Sequence, residues 1–450
     1  MMKQMIVVQG PVATRSGYGN HTRDLVRSLI AMDKYEIHII SLPWGNCPMN
    51  ALNAADPNDK PILERILSKP LDRQADIFIQ ISVPNEFCMA PDGKTPIKPG
   101  KFNIGVTAGV ESNAMPPECI QGLNRMDMNI TVSKHTTDII KNTIYDQIDN
   151  KTQQKTGELR CTSPVEILFE GSDLNIYKKT NELDKNVVEE LNQIPEQFCF
   201  LVCGHWIKGK LGQDRKDIGM TIKTFIETFK NTGKTKRPAL VLKTSGANFS
   251  AIDREIIWQK IEDILTPYRD DHPSIYLLHG DFSDNEMNSL YNHPKIKAMV
   301  SFTKGEGYGR PLQEFGLSGK PILASNWSGH LDFLHKEYVT LLPGQLTQVD
   351  PSAADRFILK ESKWFTVNYQ FASKIMKDVF KHYKKYLALS RKQAHHVRTN
   401  FSLDKMTEQF EEILNKAKVP EKVGLNLPKL KKTSNEAPKL KLPKLKKVEV

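Results

Sequence analysis

The sequence predicts an α/β protein made of two Rossmann-like units. Three observations lead there. Short apolar runs recur along the chain, several of them followed by a glycine-bearing loop and a helical pattern. The clearest instance lies at residues 296–321, where an apolar run, a turn with Gly305, Gly307 and Gly309, a short helix and a second apolar run follow one another. Finally, 450 residues with 39% hydrophobic content are usually more than one domain.

In the first half, residues 5–10 read as a buried strand ending at Gly10. The loop at 11–20 carries Thr14, Arg15, Ser16, Gly17, Tyr18 and Gly19, and a helix is expected over 21–32, with Leu25, Leu29 and Met32 on one face. Residues 37–42 and 76–82 read as the next strands. In doubly wound sheets, ligands lie outside the carboxyl ends of the strands, so Gly17 and Gly19 are candidates to face one; a plain tight turn is the competing reading. Residues 104–107 form another apolar run. Glu111 falls just beyond the end of this run. Asp127 reads as a helix cap or ion pair, and His135 as a surface helix residue.

A polar, charge-rich stretch at 179–197 reads as a linker between domains 1–178 and 198–417. The second domain opens with a strand at 198–203. A basic loop follows, with Lys210, Arg215 and Lys216, readable either as anion-binding cations or as a solvated surface. Lys243 ends the strand at 239–244. Asp281 and Phe282 follow the strand at 275–279.

The decisive segment runs from Lys304 to Pro321. Pro311 suits the first turn of a helix, and Gly319 suits a left-handed stop. The helix N-terminus and the glycine amides favour an anion. Glu306 and Glu314 would repel one, so they make sense as acceptors for hydroxyl groups on either side of a diphosphate. On spacing alone, a glycine-rich turn with two solvated glutamates competes with this reading.

This segment resembles the Glu-x7-Glu motif of retaining glycosyltransferases of family four, and residues 299–334 match that pattern nearly throughout. Gly316-Leu317 stands where the family commonly has Ala-Met-Ala. The stretch at 104–137 extends the likeness, with Cys119 at a frequent aromatic position and Glu111 in a region where the family often has a histidine. The resemblance implies the GT-B fold: two Rossmann-like domains, a donor cleft between them, and a C-terminal helix crossing back onto the first. It implies metal-independent hexosyl or pentosyl transfer with retention from a nucleoside-diphosphate sugar, probed first as a UDP-sugar, which is a co-substrate and not a cofactor. On this reading Glu306, Lys216, Arg215 and Glu111 are catalytic. Gly17, Gly19, Lys210, Lys243, Asp281, Phe282, Gly307, Tyr308, Gly309, Arg310 and Glu314 bind the donor. A non-catalytic nucleotide-sugar binder and an epimerase or hydrolase on the same fold stay open.

Six scattered cysteines form no C-x-x-C pair, and no Asp-x-Asp metal motif stands out. No apolar run reaches membrane-spanning length and no signal-peptide pattern opens the chain, so a soluble cytoplasmic protein is expected. Residues 418–450 hold ten lysines and three glutamates, +7 of the total +11, and repeat Leu-Pro-Lys-Leu-Lys-Lys. That composition predicts a basic disordered tail, either a solubility device or a polyanion contact. The tail and the 14–21 signature resemble glycosyltransferases of large tailed phages. That likeness implies hydroxylated bases in phage DNA as one acceptor, in the host cytoplasm, beside polysaccharide, lipid, small-metabolite and protein acceptors. The sequence does not fix the oligomeric state.

Overall fold

The first half runs β1 (Gln4–Gly10), α1 (Gly17–Met32), β2 (Tyr35–Ser41), α2 (Lys60–Leu63), β3 (Ala75–Ile81), β4 (Gly100–Thr107), α3 (Pro117–Leu123), β5 (Met128–Thr131) and α4 (Lys134–Asn142). A hairpin of β6 (Tyr145–Ile148) and β7 (Lys155–Leu159) precedes β8 (Val165–Ile167). This is a computed structural model, which describes residues 3–419 except 247 and 270. The 420–450 part of the predicted tail lies outside the described residues.

Six strands pair in parallel in the order β2-β1-β3-β4-β5-β8. The order reverses at β1, so the connections leaving β1 and β3 run to opposite sides and leave a crevice outside their carboxyl ends. Ile6, Val8, Ile79, Ile104 and Val106 are buried along the sheet, as strands covered on both faces require.

The second half repeats the plan. It comprises α5 (Lys185–Asn192), β9 (Cys199–His205), α6 (Ile218–Phe229), β10 (Ala239–Ser245), α7 (Ala251–Leu265), β11 (Ile275–Leu278), α8 (Asp284–Asn292), β12 (Ile296–Ser301), α9 (Arg310–Leu317), β13 (Ile322–Ser325) and β14 (Thr340–Leu342). Its six strands lie β11-β10-β9-β12-β13-β14, all parallel. A two-stranded ribbon, β15 (Gly344–Gln348) with β16 (Lys363–Val367), leads to α10 (Tyr369–Lys381), α11 (Tyr383–Asn400) and α12 (Leu403–Leu414).

Three expectations need correction. The first helix begins at Gly17, not near residue 21, because Ser16 accepts the Gly19 amide at 3.0 Å and caps it. The 179–197 stretch is no plain linker: α5 lies in it, with Val187 and Leu191 buried against Leu290 and Tyr291. The C-terminal helical region is broken at His382 and Phe401 into three helices. The last of these, α12, does cross back: Met406, Phe410, Ile413 and Leu414 join the core of the first sheet, and Ser28 and Thr407 hydroxyls meet at 2.8 Å.

Candidate active site

The site is built on the turn between β12 and α9. Gly309 caps α9 with φ of 102°, a conformation that a side chain would strain. A Cβ on Gly307 would lie 2.4 Å from the carbonyl oxygen of Ala108, so only glycine lets the turn meet the loop after β4. Ser133 Oγ donates to the Gly307 carbonyl at 2.7 Å, and Lys134 N donates to Asp332 Oδ2 at 2.8 Å. The two sheets are thus joined directly at the motif.

Glu306 is buried in this turn, its amide donating to Ser328 Oγ at 3.0 Å. Lys216 Nζ donates to its Oε1, and Arg215 Nη1 lies 3.6 Å from Oε2. Arg215 also lies 3.3 Å from Glu111 Oε1 and donates to the Gly305 carbonyl at 3.3 Å. Burial alone would raise the Glu306 pKa, but Lys216 and then Arg215 outweigh it and hold the carboxyl down at about 2. Glu306, Lys216, Arg215 and Glu111 therefore come together as one charged cluster.

What fixes Arg215 and Lys216 is Lys304, to which the sequence reading gave no role. Lys304 is fully buried, donating to Asp217 Oδ2 at 3.3 Å and to Thr366 Oγ1 at 3.0 Å, while its amide donates to the Arg215 carbonyl at 2.8 Å. Asp217 also takes a bond from Tyr369 Oη at 2.7 Å, and burial pushes its carboxyl up to about 7 against the pull of Lys304.

Glu314 faces inward from α9. Tyr291 Oη donates to it at 3.3 Å and Arg310 Nε approaches at 3.4 Å; burial pushes it up to about 7, Arg310 opposing. Arg310 itself bridges the halves. Its Nη1 lies 2.6 Å from Asp24 Oδ2 and 3.4 Å from Glu170 Oε2, both on the first half. Glu170 is likewise pushed up to about 7 by burial, with Arg310 pulling down. His21, buried beside this group, has neither ring nitrogen hydrogen-bonded. Burial and then Arg310 lower its pKa to about 3.

Four expected site residues need revision. Arg310, expected on the donor, pairs with three carboxylates through Nη1 and Nε. Tyr308 is core, tilted against Phe333 at 5.0 Å, with Gln313 Nε2 donating to its hydroxyl at 2.7 Å. Lys210 stays away from the cluster: its amide donates to Ser352 Oγ at 3.1 Å and its side chain lines a separate cavity with Trp206 and Tyr268. Gly19 is structural, since a Cβ there would lie 2.3 Å from the Thr14 carbonyl oxygen. Outside the site list, Asp127 neither caps a helix nor pairs with a cation but accepts the Asn103 amide at 2.7 Å. His135 is half-buried, edge-on to Trp327 at 4.5 Å.

Of the remaining candidates, Gly17 is exposed in the first turn of α1, with open space around it. Lys243 Nζ donates to the Gly280 carbonyl at 2.7 Å and sits 4.5 Å above the Phe282 ring. Asp281 spans the cleft, 3.4 Å from Arg15 Nε and 3.4 Å from Asn50 Nδ2. Glycine amides, a helix N-terminus and two cations at one point make a seat for a polyvalent anion, with carboxylates beside it to accept hydroxyl groups. Among the described residues, no group of three His, Cys, Asp or Glu is placed to hold a metal ion, and no helix is long and apolar enough to cross a membrane.

No protein-family model matches the chain, and no curated protein does. Solved structures do. HepE of Anabaena, in complex with UDP and glucose, superposes with a TM-score of 0.57 at 12% identity, over 92% of this chain and 100% of that one. Sucrose-phosphate synthase of Thermosynechococcus elongatus gives 0.59 at 11%, over 92% and 98%. WaaG, a glycosyltransferase involved in lipopolysaccharide biosynthesis, gives 0.53 at 12%, over 92% and 100%. The fold is GT-B. At these identities the likeness carries the fold and not an activity.

Proposed function

We propose that this GT-B protein is a retaining glycosyltransferase of family-four type that moves a hexosyl or pentosyl group from a UDP-sugar to an acceptor hydroxyl. The observation that carries the reading is the convergence of Lys216 and Arg215 on Glu306 at the N-terminus of α9, with Glu314 inward on the same helix. A nucleotide-sugar has matching chemistry, a diphosphate flanked by hydroxyls. The bound UDP and glucose in HepE support it.

Donor β-phosphate oxygens would replace Glu306 as partners of Lys216 and Arg215, the stronger anion taking the two cations. Glu306 then accepts sugar hydroxyls, and Glu314 those of the ribose. The Gly307 and Gly309 amides and the open first turn at Gly17 approach the diphosphate, and Lys243, Asp281 and Phe282 border the base. As the C1–O bond to the β-phosphate breaks, charge grows on the leaving oxygen, where Lys216 and Arg215 stabilise it. The acceptor oxygen bonds to C1 from the same face, and its proton passes to the departing phosphate. Glu111, held by Arg215, borders the acceptor side. No step calls for a metal. The reading assigns the reaction to the cytoplasm, where the six free cysteines stay thiols.

Hydroxylated bases in phage DNA are the acceptor to test first, supported by the lysine-rich 418–450 sequence. Nucleoside diphosphate release from a panel of nucleotide-sugars, with and without hydroxymethylated DNA, tests donor and acceptor together. Release from a UDP-sugar supports the reading, and sugar recovered on the DNA fixes the acceptor. No release from any donor overturns the transferase and leaves a binding protein.

A further inference from the structure

The longest helices of the C-terminal region carry an unpaired basic ridge. Residues 369–400 hold eight Lys or Arg and one Asp, a net +7; with the +7 of residues 418–450, the rest of the chain sums to −3 out of +11. The described body therefore owes its net positive charge to this segment. Lys374, Lys377 and Lys381 recur on the exposed side of α10. Lys384, Lys385, Arg391, Lys392 and Arg398 continue the pattern at helical spacing on α11.

All eight are exposed, and among the described residues none forms an ion pair. The one acid of the segment is already taken: Asp378 accepts from His382 at 2.8 Å and Tyr386 at 2.5 Å. Their arrangement is not demanded by the fold, since α11 packs through its opposite side. Gln393 Nε2 donates there to the Phe333 carbonyl at 2.7 Å, and Val397 is buried against Gly316 of α9.

We propose that this ridge is a docking surface for the phosphate backbone of nucleic acid. From Lys384 to Arg398 the helix rises about 21 Å, the axial run of about six phosphates on one strand. A membrane surface fits less well. Interfacial helices bury large apolar side chains, and α11 exposes none, Phe371 at the start of α10 being the one large exposed apolar residue of the pair. Beside the ridge, Tyr338, Arg391, Lys392, His395 and Asn400 line a groove of about 400 Å³. In it the Tyr338 ring stacks on His335 at 4.2 Å, and Lys392 Nζ lies 5.9 Å from the ring centroid. Cations beside flat ring faces suit a sugar-phosphate chain. The inference concerns binding and stands apart from the acceptor chemistry.

The test uses the full chain and a labelled mixed-sequence DNA duplex, with anisotropy read across a salt series. The ridge variant combines Lys384→Gln, Arg391→Gln, Lys392→Gln and Arg398→Gln. A charge-matched control combines Lys429→Gln, Lys431→Gln, Lys444→Gln and Lys446→Gln. The ridge variant is expected to lose roughly 10- to 100-fold in affinity at low salt, with the slope of log K against log salt shallower by about 3 to 4. The control is expected to lose clearly less. Equal losses in both variants would mean bulk charge, and an unchanged ridge variant would mean the wrong surface; either overturns the proposal. So would wild-type protein that ignores DNA yet binds phosphatidylserine vesicles through the ridge. Thermal unfolding checks that the variants fold. Should the fourfold variant unfold early, Lys392→Gln with Arg398→Gln is read the same way, with a slope change of about 2.

Discussion

Replacing Arg310 with glutamine removes the cation shared by Asp24, Glu170 and Glu314, and leaves Asp24 only Arg27 at 3.6 Å. The guanidinium lies 2.6, 3.4 and 3.4 Å from their oxygens, and its side chain is 12% exposed, so solvent screens these pairs little. Losing one partner of a buried ion pair costs about 3–5 kcal/mol. The loss should depend on pH in a definite sense. Burial holds Glu170 and Glu314 at about 7 even with Arg310 present, above the roughly 4.3 of an unfolded glutamate. A carboxyl raised in the folded state favours folding while protonated, and that contribution fades as pH climbs through the folded value. Without Arg310 both carboxyls rise further, so the penalty of ionising them extends above pH 7. In Arg310→Gln the deficit relative to wild type should therefore be smaller at pH 6, where both are protonated and the Asp24 pair carries the loss, and approach the full ~3–5 kcal/mol at pH 8. Thermal unfolding at the two pH values reads this as a drop of roughly 5–10 °C at pH 8 and less than half that at pH 6. Equal drops at both, or none at either, would refute the assignment of Arg310 as the clasp between halves.

The other predictions concern the site. Glu314→Ala should raise the dissociation constant for UDP by roughly 10- to 100-fold, the worth of charge-assisted bonds to hydroxyls of about 1.5–3 kcal/mol, read by calorimetry; an unchanged constant would remove Glu314 from the ribose. Gly17→Ala, with open space around it, should leave the melting temperature within a degree or so yet weaken donor binding, whereas Gly307→Ala should cost about 1–3 kcal/mol because its Cβ would meet Ala108. Lys304→Met should destabilise by about 3–5 kcal/mol and lower turnover with it, since Asp217 loses its cation and the 214–217 loop its anchor. A variant as active and stable as wild type would contradict that role.

What the sequence made legible was local. The glycine turn, the α9 start and stop and the neighbouring strands are encoded within some twenty-five residues, and the charges of Arg215 and Lys216 stand next to each other in the chain. Partners distant in sequence were not. Arg310 meets Asp24 across 286 residues and Glu170 across 140, so a residue that the resemblance places on the donor proves to pair with three carboxylates. Tyr308 sits inside the motif but turns into the core, which neighbouring residues alone do not reveal. Lys210 lies five residues before Arg215 on the same loop, yet the fold turns it to Ser352, a partner distant in sequence. Ser16 as cap was available to sequence reasoning, and its capping signature at Ser16-Gly17-Tyr18-Gly19 was obscured by two glycines that read as loop. The crossover of the last helix came with the resemblance; the breaks at His382 and Phe401 carry no proline or glycine to announce them.

The central claim is that sugar transfer takes place where Lys216 and Arg215 meet Glu306. The most direct test measures UDP release from UDP-sugars by wild type, Glu306→Gln and Lys216→Met side by side, with unfolding curves confirming that all three fold. Wild type should turn over at least one donor, and both variants should lose about 100-fold or more in kcat. Turnover that survives both substitutions would move the chemistry away from this cluster.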